Sequence, residues 1–197
     1  MKRLLRIDSS TRGKESHSKN LASEYERYWQ QKYPDSTVIL RDLSSSNIPH
    51  LSQSFIEAMF MSEENRTSTH HESLILSNIL IDELKSADAL LLSVPMYNFS
   101  IPSSLKAYID HISRIGETFT MDESGFRGLI TGKKLIITAA YGAEFSEMKA
   151  MDFVEPYLKS LFGFLGFTDI EYYAIEGTSM LSADELKTKM NSLISQF

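Results

Sequence analysis

Five short apolar runs, separated by segments with a different apolar spacing, constrain the fold of this chain more than any other feature. The runs span residues 4–7, 37–43, 87–94, 134–140 and 169–175. The third and fourth runs are continuous rather than alternating, which is typical of strands covered on both faces. Runs of this kind predict a parallel sheet whose central strands are buried.

The segments between these runs have helical periodicity, with apolar residues recurring every three or four positions. They are Leu21, Tyr25, Tyr28 and Trp29; Leu74, Ile75, Ile79, Ile81 and Leu84; and Leu105, Ile109 and Ile112. Because strands and helices alternate, right-handed crossovers predict a doubly wound α/β fold, with five parallel strands and helices on both faces. Flavodoxin-like and Rossmann folds share this architecture, and their ligands bind beyond the carboxyl ends of the strands.

The remaining segments are less regular. Residues 44–71 are polar, and we expect loops at 44–47 and 62–69 around a short helix near 55–61, with the adjacent His70 and His71 in a solvated loop. Residues 182–197 predict a closing helix that begins with a capping box from Ser182 to Glu185.

The composition fits one globular domain over residues 1–197, with 42% hydrophobic and 23% charged residues. A net charge of -6 provides no basic field for nucleic acid, and no apolar run reaches the length of a membrane span, so we expect neither partner. The chain has no cysteine, so its redox chemistry would need a bound cofactor. The first residues lack a signal-peptide pattern, and we expect a cytoplasmic protein.

A serine-rich segment follows the first predicted strand and leads into a helix. It contains Ser10, Ser16, His17 and Ser18, where hydroxyls and the free N–H groups of a helix N-terminus can bind a phosphate without a lysine. The alternative is that a serine only caps the helix. Residues 128–134 and 163–166 do not form a phosphate loop, because the first segment precedes a strand and the second ends a helix.

An aromatic segment, residues 95–102, follows directly after the third run. A loop at this position can align backbone amides and the Asn98 amide with the polar edge of a flat heterocycle, while Met96, Tyr97 or Phe99 covers its face. For each residue alone, the alternative is an ordinary strand-to-helix turn with rings in the core.

Several motifs occur together in this chain. They are Ser9-Ser10 with Ser16-x-Ser18, the string from Pro95 to Phe99, Leu105-Lys106-x-Tyr108, Gly116 to Phe119, residues 128–134, Pro156-Tyr157-Leu158 and residues 163–166. The set resembles the FMN-dependent NADH azoreductases, also called FMN-dependent NADH:quinone oxidoreductases. The resemblance runs from the first strand to about residue 175.

This resemblance implies an FMN site. Its phosphate and ribityl chain would contact Ser10, Ser16, His17 and Ser18. Its isoalloxazine ring would lie against Met96, Tyr97, Asn98 and Phe99. A third contacting stretch would be Ala140, Tyr141, Gly142 and Ala143, where many relatives have Ser-Arg-Gly-Gly.

The resemblance also implies an activity and an assembly. Hydride would pass from NADH through N5 of FMN to a quinone or an aromatic azo compound by a ping-pong mechanism, without a catalytic side chain. His17 and Tyr97 are the candidates for any proton transfer. The implied homodimer has its active sites at the subunit interface. Candidate residues for acceptor specificity, which we expect to be exposed, are Phe60, Phe119, Met121, Phe126 and Phe162, for which core or dimer packing is the alternative.

Two other functional classes fit parts of the pattern. A flavodoxin-type electron carrier would use the same fold and cofactor, and a flavin-free α/β interaction module would use the fold alone. The spacing of the histidines does not match a metal-site motif, and no G-x-S-x-G motif indicates a serine hydrolase.

Overall fold

The computed structural model describes residues 1–197 and consists of seven strands and six α-helices. In chain order these are β1 (Arg3–Asp8), α1 (His17–Lys32), β2 (Thr37–Asp42), α2 (Gln53–Phe60), α3 (Ser68–Ser86), β3 (Ala89–Pro95), α4 (Ser103–Ile112), β4 (Phe119–Asp122), β5 (Gly125–Gly128), β6 (Lys134–Ala140), α5 (Glu155–Leu165), β7 (Asp169–Ile175) and α6 (Ala183–Ile194).

The main sheet has five parallel strands in the order β2-β1-β3-β6-β7. This is the flavodoxin-like order, and it confirms the predicted fold class. The chain leaves β1 toward β2 on one side and later returns to β3 on the other. The carboxyl ends of β1 and β3 therefore border a crevice at the topological switch point.

Helices cover both faces of the sheet, as the continuous apolar runs predict. On one face, Leu5, Leu92 and Ile137 belong to the large core that contains α3, α4 and α5. On the other face, Leu91 and Ile136 pack with aromatic residues of α1 in a smaller core. Successive residues of a strand point to opposite faces, so β3 and β6 contribute to both cores.

Two features differ from the sequence-based expectations. Strands β4 and β5 form an antiparallel hairpin that was not predicted. Helix α3 begins at Ser68, so the expected solvated loop for His70 and His71 is wrong. The Thr67 N–H donates to His70 Nδ1 at 3.2 Å, and the His70 N–H donates to Thr67 Oγ1 at 3.4 Å. This reciprocal capping starts the helix inside the polar segment.

Two helix ends match the sequence pattern. At the start of α6, the Ser182 N–H donates to Glu185 Oε2 at 2.8 Å and the Glu185 N–H donates to Ser182 Oγ at 3.4 Å, which confirms the capping box. At the end of α5, Gly166 has a φ of 112°, a conformation that favours glycine. None of the six helices combines the length and apolar composition needed to cross a membrane.

Candidate functional site

A cleft of about 160 Å³ opens at the carboxyl ends of β1, β3 and β6. It lies at the switch point, where ligands of doubly wound sheets bind. Its lining residues are Ser10, Arg12, Ser16, His17, Ser18, Pro95, Met96, Tyr97, Ala140, Gly142, Thr178 and Ser179. The three segments predicted to form a site therefore meet in one place.

One end of the cleft is a hydroxyl cradle, formed by Ser10, Ser16 and Ser18, all at most 2% exposed. Ser16 caps α1, since its Oγ accepts the Lys19 N–H at 3.3 Å. The Oγ atoms of Ser16 and Ser18 are 3.2 Å apart. The N–H groups of His17 and Ser18 have no acceptor within the chain. These free donors and the positive end of the helix dipole make the cradle suitable for a phosphate.

The wall beside the cradle is formed by Met96 and Tyr97, which lead into the aromatic turn, residues 97–100. Tyr97 and Ser100 exchange backbone hydrogen bonds of 2.9 and 3.0 Å. Asn98 and Phe99, between them, have φ values of 49° and 67°, the pattern of a type I′ turn. Such conformations cost roughly 1–3 kcal/mol in non-glycine residues and persist only where the surroundings hold them. Here the Phe153 N–H donates to the Phe99 carbonyl at 3.0 Å.

This tight turn divides the aromatic segment. Met96 and Tyr97 line the cleft, whereas Asn98 and Phe99 do not. Asn98 instead lines an adjoining groove of about 600 Å³, together with Tyr97 and the first two turns of α4. Phe99 lines neither the cleft nor the groove and is 42% exposed. The segment therefore supplies both a wall and an outer edge.

Tyr97 links the aromatic turn to the serine-rich segment, with its hydroxyl 3.3 Å from Thr11 Oγ1. Burial acts to raise the pKa of Tyr97, but hydrogen bonding to Thr11 and Ser10 and the charge of Arg12 together lower it. Burial, assisted by Arg12, also lowers the pKa of His17. At neutral pH the lowered value favours an uncharged imidazole beside the cradle.

The third predicted stretch reaches the cleft only through alternate residues. Ala140 and Gly142 line it, but Tyr141 and Ala143 do not. The Tyr141 side chain is fully buried, and its hydroxyl contacts Tyr172 and lies 3.3 Å from both carboxylate oxygens of Asp152. Burial raises the pKa of Tyr141 and of Tyr172. Because neighbouring residues of an extended segment point to opposite sides, the side chains of Tyr141 and Ala143 point away from the cleft.

A turn after β7, not predicted from the sequence, completes the cleft with Thr178 and Ser179. The Thr178 N–H donates to the Tyr141 carbonyl and the Ser179 N–H to the Gly142 carbonyl, each at 3.0 Å. A Cβ at Gly142 would lie 3.0 Å from Ser179 Oγ. Glycine at this position therefore allows the segment after β6 and the turn after β7 to pack closely together. Gly177 is the signal that could have indicated this turn, because it lies two residues after the end of the last predicted strand.

The five candidates for acceptor specificity have different environments, and none of them lines the cleft. Phe60, Met121 and Phe126 are 73%, 58% and 64% exposed, and Phe119 is half-buried. The expectation that Phe162 is exposed is wrong, since its ring is fully buried on the inner face of α5 and lies 5.5 Å from that of Phe167.

The hairpin and α5 share a ring cluster of Phe119, Phe126 and Phe164. The Phe164 ring lies 4.8 Å from that of Phe119 and 5.7 Å from that of Phe126. Phe164 is in the last turn of α5, which leads into the amino end of β7. The ring cluster therefore lies toward the amino ends of the strands, whereas the cleft lies at their carboxyl ends.

Comparisons with known proteins agree with this architecture. A family model described as flavodoxin-like fold matches residues 2–196. A Nostoc punctiforme protein named FMN-dependent NADH:quinone oxidoreductase is 44% identical over 175 residues, covering 87% of this chain and 85% of that protein. A Hydrogenovibrio crunogenus protein of the same name is 46% identical over 172 residues, covering 86% and 85%. The crystal structure of an azoreductase from Bacillus anthracis str. Sterne superposes with a TM-score of 0.91 at 24% identity, covering 100% of this chain and 96% of that chain, and so shares the fold. The chain therefore belongs to the FMN-dependent NADH:quinone oxidoreductases, a family with a flavodoxin-like fold.

Proposed function

We propose that this chain binds FMN in the cleft and catalyses the reduction of quinones by NADH. The observation that carries the proposal is the combination, in one cleft, of a hydroxyl cradle with free N–H donors and a neighbouring wall formed by Met96 and Tyr97. A phosphate ester attached to a flat ring needs both features. The name of the 44% identical relative supports the same activity.

The residues of the cleft fit FMN. Ser10, Ser16, His17 and Ser18 would hold the phosphate and the ribityl chain. Met96, Tyr97, Ala140 and Gly142 would contact the ring, with Asn98 and Phe99 at its outer edge. The Gly142 N–H has no acceptor within the chain and is a donor for a polar edge of the ring. Bound FMN would supply the redox chemistry, accepting a hydride at N5 and passing it on.

The protein contributes binding and orientation rather than acid–base chemistry in this proposal. NADH and the acceptor are both flat at their reacting ends and need the same uncovered face of the ring, so they would bind in turn, as in a ping-pong mechanism. Quinones and aromatic azo compounds fit the same slot. Tyr97 and His17 line the cleft together with Arg12, whose guanidinium stays protonated, so Tyr97 and His17 remain the candidates for any proton transfer.

Anaerobic mixing of the purified yellow protein with NADH tests this function. We expect rapid two-electron loss of the flavin absorbance and its return on addition of a quinone. Steady-state rates measured at varied NADH and quinone concentrations should give parallel lines in double-reciprocal plots, the signature of a ping-pong mechanism. A protein that holds FMN but is not reduced by NADH would be an electron carrier. A colourless protein that binds no added FMN would leave the flavin-free interaction module.

We further propose that the active enzyme is a homodimer whose sites are completed at the subunit interface. Met121 and Phe126 lie directly opposite each other on the hairpin and are 58% and 64% exposed, and adjacent exposed apolar side chains mark interaction surfaces, whereas isolated ones do not. The ring cluster lies toward the amino ends of the strands, away from the cleft of its own chain. A second copy is the partner that would bring these side chains to a flavin.

Substitution of Phe126 by glutamate tests the dimer. Placing a charge in the interface should weaken self-association about 10-fold or more and raise the KM for quinone, while the affinity for FMN stays unchanged. Sedimentation velocity and steady-state kinetics measure these effects. Leu40, 60% exposed on the edge strand β2, provides the control, since L40E should change neither property. A Phe126→Glu protein that associates and turns over like the unsubstituted chain would refute this role of the hairpin.

A further inference from the structure

A cluster of buried and partly buried charges lies beside the hydroxyl cradle and is not part of the cleft lining. It consists of Arg6, Asp8, Lys19, Glu26 and Asp42. Arg6, Asp8 and Lys19 are only 8%, 4% and 8% exposed. Ion pairs with such low exposure carry a large desolvation cost, and apolar replacements are often no less stable. Their presence beside a binding site therefore calls for an explanation other than stability.

The charged cluster is tightly connected. The Arg6 guanidinium donates to both carboxylate oxygens of Asp8 at 2.9 Å and to Glu26 Oε2 at 2.9 Å. It also donates to the backbone carbonyl of Lys19 at 3.1 Å. The Lys19 ammonium donates to Asp42 Oδ2 at 2.8 Å. Strands β1 and β2 and the first turn of α1 are thereby joined through charge-assisted hydrogen bonds.

The two segments that form the cradle, Ser10 after β1 and Ser16 to Ser18 at the start of α1, are attached to this cluster through the backbone. Asp8 directly precedes Ser9 and Ser10. Lys19 directly follows Ser18, and its N–H donates to Ser16 Oγ. A shift of Lys19 would therefore move the cap of α1 and the free N–H groups of His17 and Ser18. The Lys19 side chain points to Asp42 and does not line the cleft, so its influence on a ligand is indirect.

We propose that Lys19 and Asp42 are positioning residues that hold the cradle in its phosphate-binding geometry, and that the preference of this chain for FMN over riboflavin depends on their ion pair. This inference rests on the proposed FMN site. It concerns the phosphate end alone, because no hydrogen bond or ion pair joins Met96, Tyr97 or Gly142 to the charged cluster. Loss of the pair should therefore reduce FMN affinity without reducing riboflavin affinity.

Fluorescence titrations of the flavin-free full-length protein with FMN and with riboflavin test the proposal. We expect Lys19→Met to raise the Kd for FMN about 10- to 100-fold and to leave the Kd for riboflavin within about twofold, as when an indirect support of a ligand site is removed. Lys19→Arg, which keeps the charge that pairs with Asp42, should restore FMN affinity to within about threefold.

The control is Arg41→Met. Arg41 precedes Asp42 on β2 but points to the opposite face, where its Nε donates to Glu83 Oε2 at 2.8 Å. Losing that pair should change neither affinity. If Lys19→Met does not fold, Asp42→Asn decides, since it removes the charge of the partner but keeps a hydrogen-bond acceptor.

Unchanged FMN affinity in the folded variants would overturn the inference. An equal loss of FMN and riboflavin affinity would also overturn it, because it would mean that the substitution disturbs the whole flavin site and not the phosphate end. Failure of the unsubstituted protein to bind FMN would instead refute the proposed function.

Discussion

Replacing Ser16 with aspartate should raise the Kd for FMN about 100-fold or more in a chain that still folds. Aspartate caps helices as well as serine does, and its charge is favourable at a helix N-terminus, so α1 should form normally. The new carboxylate would occupy the place of the phosphate, between the hydroxyl of Ser18 and the free N–H groups. Repulsion between two charges about 4 Å apart at a partly solvated site amounts to roughly 3–4 kcal/mol, which exceeds a 100-fold change.

The matched control is Ser52→Asp. Ser52 caps α2 in the same way, with its Oγ accepting the Phe55 N–H at 3.2 Å, but it does not line the cleft. Thermal unfolding followed by circular dichroism should show both variants folded, and flavin fluorescence should show lost FMN affinity only for S16D. Riboflavin, which has no phosphate, should bind S16D with a much smaller penalty. FMN binding by S16D within threefold of the unsubstituted protein would place the phosphate elsewhere.

The strands could be predicted from the sequence because each is a short apolar run ended by polar or turn residues. The last two main strands, Lys134–Ala140 and Asp169–Ile175, have the predicted bounds. The rule that ligands bind at carboxyl ends then placed the serine-rich and aromatic segments together, since both directly follow strands. That part of the cleft depends only on local sequence and strand order.

The rest of the cleft depends on contacts between turns, which leave little trace in a sequence. The Ser179 N–H reaches the Gly142 carbonyl because β6 and β7 pair in a particular register. Asn98 and Phe99 adopt positive φ without the glycine that usually indicates it. Their conformation is held by Phe153, more than 50 positions away, so no local pattern predicts it.

The position of Phe162 was, by contrast, available in the sequence. Leu158, Phe162 and Leu165 recur at spacings of four and three, so they share the buried face of α5. Phe164 falls on the outer face and joins the ring cluster instead. The hairpin itself could not be predicted, because strands of only four residues are too short for an alternating pattern, such as that of Phe119 to Asp122, to be distinguished from a loop. Its stability comes from packing against α5.

That packing leads to the largest expected effect on folding. A Cβ at Gly128 would lie 2.2 Å from the backbone nitrogen of Gly166 and 2.3 Å from the carbonyl carbon of Leu165. These backbone atoms cannot move freely, since the Ile130 N–H donates to the Leu165 carbonyl at 2.9 Å. Gly128→Ala should therefore lower the free energy of unfolding by about 3 kcal/mol or more. For a chain of this size, that corresponds to a fall in Tm of about 6–12 °C.

Gly163→Ala is the matched control, because it adds the same methyl group to a glycine of α5 whose Cβ would meet nothing within 4 Å. In a helix interior this change should raise stability by about 0.5–1 kcal/mol. Differential scanning calorimetry should thus show opposite shifts for two glycine-to-alanine changes in adjoining elements. Equal stability of the two variants would mean that Gly128 of the hairpin does not pack against the end of α5. Where Gly128→Ala still folds, quinone turnover should fall while FMN affinity is retained, because the ring cluster is displaced and the cradle is not.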